Sequence, residues 1–100
     1  TKHTLKSQNG ISDYRIDPWR MDKSPHSPAA VALRELLTEK RKSKGLHQND
    51  VAARLQRPQS FISKYENGER KIDVIDFIHI CNSMDLNPTE VLDEFIKRFN

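Results

Sequence analysis

A chain of 100 residues, of which 35% are hydrophobic, can form one modest core and is too short for two independent domains. One cysteine excludes an internal disulfide, four scattered histidines lack metal-ligand spacing, and no apolar run suits a membrane span or a secretory signal. The net charge of +3 is uneven, with 15 Lys and Arg against 8 Asp and Glu in residues 1–72 but 2 against 6 in residues 73–100.

The first 27 residues are polar and are interrupted by Gly and Pro, which predicts a largely disordered N-terminal arm. Within it, aromatic and apolar side chains cluster at Tyr14, Ile16, Trp19 and Met21. This cluster leaves open a second interpretation, in which the arm docks on the domain or on a protein partner.

Residues 28–100 predict a helical domain, whose first helix begins with Ser27 as cap and Pro28 as first helical residue. This helix ends in a basic segment that includes Arg41 and is stopped by Gly45. The basic side chains match the negative pole of the helix dipole, and they are equally suited to contact DNA phosphates. The two interpretations are compatible.

Two short helices with a tight turn between them follow. Apolar spacing predicts a second helix over residues 47–55, and Gln56-Arg57-Pro58 then breaks it. The next helix is expected to start at Pro58 and to end at Asn67, with Gly68 just beyond it.

Two more helices complete an all-α prediction, since no stretch alternates as a strand would. Asp73 is the expected cap of the fourth helix, with an apolar stripe of Val74, Phe77, Ile78, Cys81 and Met84. The segment Asn87-Pro88-Thr89-Glu90 has the pattern of a cap for the fifth helix. That helix carries Val91, Leu92, Phe95, Ile96 and Phe99.

The central segment contains a specific pattern: Gln48-Asn49-Asp50-Val51-Ala52, then Leu55, then Gln59-Ser60-Phe61-Ile62-Ser63-Lys64-Tyr65-Glu66-Asn67-Gly68. It resembles the helix-turn-helix of the phage lambda repressor and Cro family, over about residues 27–99. The resemblance implies a five-helix lambda-repressor-like DNA-binding domain, with the helix-turn-helix at about residues 47–67, in a cytoplasmic protein of bacterial or phage origin.

Elementary geometry supports the pattern. Ala52 is small because two helices that cross steeply over a short turn leave little room for a side chain. Ile62 and Tyr65 lie on one side of the third helix and can anchor it to the core. The opposite arc, called the reading face below, carries only hydrogen-bonding and no acidic side chains: Gln59, Ser60, Ser63, Lys64 and Asn67.

Such a face can read base edges in the major groove of double-stranded DNA. The resemblance implies base contacts from Gln59, Ser60 and Lys64, and the same arc adds Ser63. It also implies that Gln48 supports Gln59 and touches phosphate. Further backbone contacts are expected from Asn67, Arg70 and Lys71.

Three positions depart from the family pattern. His47 stands at the cap of the second helix, where its imidazole is a poorer cap than serine or threonine. Arg57 in the turn either contacts a phosphate or remains solvated. Phe61 either contacts a thymine methyl or packs beside Tyr65 within the protein.

The fifth helix carries more apolar residues than a small core needs. Val91, Leu92 and Phe95 are expected to complete the core, and Phe95, Ile96 and Phe99 are candidates for a two-fold interface. A core role alone is the alternative. A dimer would place two reading helices about 34 Å apart on a palindromic operator.

The sequence thus predicts a homodimeric, sequence-specific transcriptional repressor with double-stranded DNA as its partner. The alternative is an antitoxin or restriction-modification controller type of protein, whose arm or last helix binds a protein partner. An enzyme is not expected, because paired carboxylates, a nucleophile with its base and a phosphate-binding glycine loop are all missing from the sequence. No cofactor or metal is expected either.

Overall fold

A computed structural model describes residues 21–99, with side chains as far as Arg98. This range contains five helices and no strand, which confirms the predicted all-α class. The helices are α1 (Pro28–Ser43), α2 (Gln48–Leu55), α3 (Gln59–Glu66), α4 (Val74–Ser83) and α5 (Pro88–Phe99). The arm cluster at Tyr14, Ile16 and Trp19 and the side chain of Phe99 lie outside the described part.

The helix boundaries follow from side-chain caps and glycines. The Ser27 hydroxyl accepts a hydrogen bond from the Ala30 N–H at 3.2 Å and begins α1. The Asp73 carboxylate accepts from the Asp76 N–H at 2.7 Å and begins α4 in the same way. Gly45 and Gly68, which follow α1 and α3, have φ of +71° and +81°. Only glycine adopts this left-handed conformation freely, so both helices stop where the sequence predicts.

The turn between α2 and α3 differs from the prediction by one residue. Gln56 takes a left-handed conformation with φ +56° and ends α2. Pro58 is the N-cap of α3 rather than its first residue, because its backbone is extended and its carbonyl accepts from the Phe61 N–H at 3.0 Å. The start of α2 is stabilised by a hydrogen bond to the backbone of its cap residue: the Asp50 carboxylate accepts from the His47 N–H at 2.7 Å. That bond holds the pKa of Asp50 below its usual range.

One core unites the five helices. Ala52, Ile62 and Tyr65 are buried in it, as predicted. The buried hydrophobic residues are Leu36, Leu37, Val51, Ala52, Phe61, Ile62, Tyr65, Phe77, Ile80, Cys81, Met84 and Val91.

Two expected core residues lie elsewhere. Val74 is 67% exposed and Ile78 is 41% exposed, whereas Ile80, which was not expected in the stripe, is fully buried. The buried side of α4 is the i, i+3, i+4, i+7 row that starts at Phe77, so the predicted stripe is confirmed for Phe77, Cys81 and Met84 and wrong for the other two residues. On α5 Val91 is buried, but Leu92 is 43% exposed, and the prediction that Leu92 completes the core is wrong.

Candidate nucleic-acid interface

Helices α2 and α3 present the candidate interface. Ala52 of α2 and Ile62 of α3 are both buried in the core, and α2 packs against α3, where a small alanine side chain permits a close crossing. With Ile62 and Tyr65 turned inward, α3 presents its remaining side to solvent. Gln59, Ser60, Lys64 and Asn67 of the reading face are exposed there, and Ser63 is partly exposed.

Behind the reading face lies a buried ion pair that the sequence analysis did not anticipate. The Arg41 guanidinium donates to the Glu66 carboxylate through Nε at 2.7 Å and through a second nitrogen at 3.0 Å. A third donor of Arg41 reaches the Leu46 carbonyl at 2.8 Å. The two charged side chains are only 9% and 6% exposed. Glu66 accordingly raises the pKa of Arg41.

This geometry bears on the predicted phosphate contact of Arg41. The guanidinium is enclosed and committed to Glu66 and Leu46, so it does not lie on the surface where a phosphate would bind. We therefore remove Arg41 from the candidate DNA contacts. Its neighbours Lys42 and Lys44 in the same basic segment are exposed.

Two glutamines extend the ion pair to the reading face. The Gln48 side-chain amide donates to Glu66 at 2.9 Å, and its oxygen accepts from the Gln59 amide at 3.1 Å. A carboxylate can only accept, so Glu66 fixes which end of the Gln48 amide faces inward. The oxygen of Gln48 then faces Gln59 and fixes that amide in turn.

We call this series of hydrogen bonds, from Glu66 through Gln48 to Gln59, the relay. It leaves two groups of the Gln59 amide without a hydrogen bond. One N–H of its amide is used by Gln48, and its oxygen and second N–H remain for another partner. This acceptor and donor match the N6 amino group and the N7 atom of adenine in the major groove. The site is thus able to recognise a base through a side chain whose orientation is set in advance.

Phe61 is 7% exposed and packs within the protein. Its ring lies edge-on to Tyr65 with centroids 5.9 Å apart. The Arg57 guanidinium lies 4.6 Å and that of Arg70 4.8 Å from the ring centroid. Of the two alternatives for Phe61, the structure favours packing. The ring holds two cations near the two ends of α3.

The other predicted backbone contacts lie around the same helix. Asn67 is the C-terminal cap of α3, and Arg70 and Lys71 are exposed just beyond it. Gln48 is half-buried at the start of α2. The predicted DNA contacts other than Arg41 therefore lie on α3, in the residues that flank it or, for Gln48, in a side chain hydrogen-bonded to it.

Glu66 is the site residue that the sequence analysis missed. It lies seven positions after Gln59, so two full turns of helix place both side chains on nearly the same line. A carboxylate next to a helix face that is proposed to contact DNA would repel the phosphates. Its presence in the sequence could therefore have indicated that a cation within the protein pairs with it.

Two further features were sought in the described residues. Residues 21–99 contain no group of three or more His, Cys, Asp or Glu side chains able to hold a metal ion. None of the helices in this range is both long and apolar enough to cross a membrane.

Comparison with known proteins places the same segment in context. A family model described as helix-turn-helix matches residues 37–91, which include α2 and α3 entirely. An XRE-family like protein from Pseudomonas syringae pv. tomato str. DC3000 is 42% identical, with a TM-score of 0.70. That match covers 73% of this chain and 89% of the other. No curated protein matches the chain.

Two restriction-modification controller proteins are also similar in structure. The controller C.AhdI from Aeromonas hydrophila is 26% identical, with a TM-score of 0.56 over 61% of this chain and 92% of that one. A mutant of the controller C.Esp1396I has a TM-score of 0.65 at 20% identity and covers 70% of this chain and 89% of that one. The second likeness concerns the fold alone.

Proposed function

Because this chain belongs to the Cro/C1-type helix-turn-helix family of DNA-binding transcriptional regulators, we propose that it acts in the cytoplasm as a homodimeric repressor on a palindromic operator. The observation that carries the proposal is the relay from Glu66 through Gln48 to Gln59. It fixes a glutamine amide on an exposed helix face, and a fixed amide favours one base over others.

In this proposal some side chains on and around the reading face contact bases, and others contact phosphates. Gln59, Ser60, Ser63 and Lys64 contact base edges in the major groove. The contacts to the DNA backbone come from Gln48, Arg57, Asn67, Arg70 and Lys71. Phosphate contacts supply affinity that falls with salt, and base contacts supply the preference for one sequence.

The base-reading assignment can be tested by fluorescence anisotropy with DNA from immediately upstream of the protein's own gene. The wild type should bind this duplex more tightly than a scrambled duplex of the same length, and binding should weaken with salt. In the double variant Gln59→Ala with Lys64→Ala, we expect the preference between the two duplexes to fall at least about fivefold, since a bidentate base contact contributes about 1–3 kcal/mol of discrimination.

Lys97→Ala is the matched control, because it also removes one lysine charge but lies on α5, where Lys97 pairs with Asp93 at 3.1 Å. This control should keep the wild-type preference. Undiminished sequence preference in the double variant would overturn the base-reading assignment.

The homodimer is supported by apolar side chains on α4 and α5, two helices that pack on each other. Val74 and Ile78 lie one turn apart on α4 and are exposed, as Leu92 and Ile96 are on α5. The other side of α5 is polar, since Glu94 pairs with Lys40 of α1 at 2.8 Å. Exposed apolar rows of this kind mark surfaces of association.

We assign the two-fold interface to these rows, with Ile96 at its centre. Phe95 is also predicted at the interface. It packs against the core and is only partly exposed, so it contributes to the folded domain as well as to the proposed interface. Phe99 follows Ile96 by about one turn and stays in the proposal on its sequence position alone.

Light scattering tests the dimer with Ile96→Glu, which places a charge in an apolar interface and should shift the mass toward that of a monomer. Ala53→Glu on the exposed side of α2 adds the same charge away from the interface and should leave the dimer intact. A wild-type monomer at micromolar concentration, or an Ile96→Glu variant that dimerises normally, would contradict the assignment.

A restriction-modification controller is the second candidate, because the Aeromonas hydrophila protein with that name is 26% identical to this chain. Genes for a restriction endonuclease and a methyltransferase beside the gene for this protein would favour it. A neighbouring toxin gene, with co-purification that depends on residues 1–27, would instead favour an antitoxin.

A further inference from the structure

A cavity of about 280 Å³ opens between residues 22–27, the first half of α1 and the loop after α3. We call it the N-terminal groove. Its walls are mainly apolar, with Ala30 and Leu33 from α1, Ile72 from the loop and Phe95 from α5. Arg34 and Lys71 stand among the polar residues that line it.

Tyr65 also lines this groove. The side chain is 2% exposed, and its hydroxyl has no hydrogen-bond partner among the described residues. A buried hydroxyl without a partner is rare, because it has given up its bonds to water and received none in return. The groove is thus apolar in its walls, and one of the residues that line it has a hydroxyl group without a hydrogen-bond partner.

The N-terminal part of the described chain forms one wall of this groove. Asp22, Lys23, Ser24 and Pro25 form part of its wall, so the segment that precedes them starts at the edge of the groove. That segment carries the aromatic and apolar cluster of the arm. Trp19 comes three residues before Asp22, which places it within about 10 Å of the wall along an extended chain.

The dimensions and chemistry suit an indole ring. The volume lies just below the range of roughly 300–1,000 Å³ that is typical of drug-sized ligands. A cavity of this size can also hold a single large aromatic side chain. An indole N–H is a donor that needs an acceptor when buried, and the Tyr65 hydroxyl oxygen can accept.

We propose that residues 14–20 of this chain dock along the N-terminal groove of the same molecule, with the Trp19 indole in the cavity and its N–H donating to the Tyr65 hydroxyl. The docked segment lies beside Lys71 and Arg70, which also line the groove. The arm then belongs to the folded domain and buttresses the loop that follows α3. This inference does not depend on DNA binding or on dimerisation.

Fluorescence tests the proposal in the full chain, because Trp19 is its only tryptophan. Emission should be blue-shifted in the native protein, and acrylamide should quench it several-fold less than in urea. Ala30→Glu places a longer, charged side chain in the groove and should restore quenching almost to the unfolded level. Ala53→Glu, exposed on α2, should leave Trp19 protected.

Tyr65→Phe keeps the ring and removes only the hydroxyl, so it should shift the emission and partly raise quenching while the helical circular dichroism stays unchanged. Equal quenching in native and unfolded protein would overturn the proposal, as would protection that survives Ala30→Glu. Protection that vanishes on dilution would also overturn it, because the arm would then occupy the groove of a second copy.

Discussion

Arg41 and Glu66 are charged side chains in a position where most small domains place apolar ones. Removing two charges from water costs several kcal/mol per ion, which their attraction repays only with good geometry and further hydrogen bonds. Here the Leu46 carbonyl and the Gln48 amide supply those further bonds. The arrangement makes the pair a positioning device: it holds Gln48, and through it Gln59, while it joins α1 to α3.

The pair can be tested by comparing Glu66→Leu with the double variant Arg41→Met and Glu66→Leu. We expect the single variant to lose about 3–5 kcal/mol of unfolding free energy, because a buried guanidinium is left without its partner. The double variant should recover most of that loss in urea denaturation. Both variants should lose preference for the base that Gln59 reads.

An equal loss of stability in the single and double variants would show that the packing volume, and not the charge, matters at this position. Normal base preference in the stable double variant would show that Gln59 needs no relay.

Among the elements, most helix boundaries were predictable, whereas the buried side was predictable for α3 and not for α4. Ser27, Asp73 and the two glycines are local signals, and each lies where the sequence analysis expects. The inward side of α4 was harder, because Val74, Ile75, Ile78 and Ile80 are all apolar and periodicity alone selects no single stripe. Tertiary packing made the choice.

The same limit explains the outcome for Arg41. Several basic residues follow one another at the end of α1, and composition does not show which one turns inward. Arg41 lies one turn after the buried Leu37, on the core side of the helix, and this spacing would have separated it from Lys42 and Lys44. The reading face was easier to predict, since its spacing is local to one short helix.

The ends of α1 and α3 offer a matched pair of variants. In Gly45→Ala the added Cβ meets no atom within 4 Å. The free energy of unfolding should therefore fall only by the cost of a positive φ, roughly 1–2 kcal/mol. At Gly68 an added Cβ would also lie 2.8 Å from the Arg34 guanidinium carbon. Arg34 would have to move from the Pro25 carbonyl to which it donates. We therefore expect Gly68→Ala to lower the thermal midpoint more than Gly45→Ala, and equal shifts would contradict this view of the α3 terminus.

At the scale of the whole molecule, the structure shows which charged side chains form ion pairs and which do not. Charged side chains pair between α1 and α5, since Glu94 of α5 pairs with Lys40 of α1 and Glu39 of α1 pairs with Arg98 of α5, at 2.8 Å each. Their neighbours hold the pKa values of Glu39 and Glu94 below the usual range. Arg57 and Arg70, on either side of α3, lie against the Phe61 ring, and neither forms an ion pair within residues 21–98. Two basic side chains thus lie just before and just after α3, whereas the exposed apolar rows lie on α4 and α5.

A selection of preferred duplexes from a random-sequence library tests these relations together. For the wild type we expect enriched sites with two-fold symmetry, whose half-site centres lie about 34 Å apart, or roughly ten base pairs. The same selection with Gln59→Ala should keep the spacing and lose the preference at one position in each half-site. Enrichment of a single asymmetric site, or no enrichment at all, would contradict a dimer that reads DNA through α3.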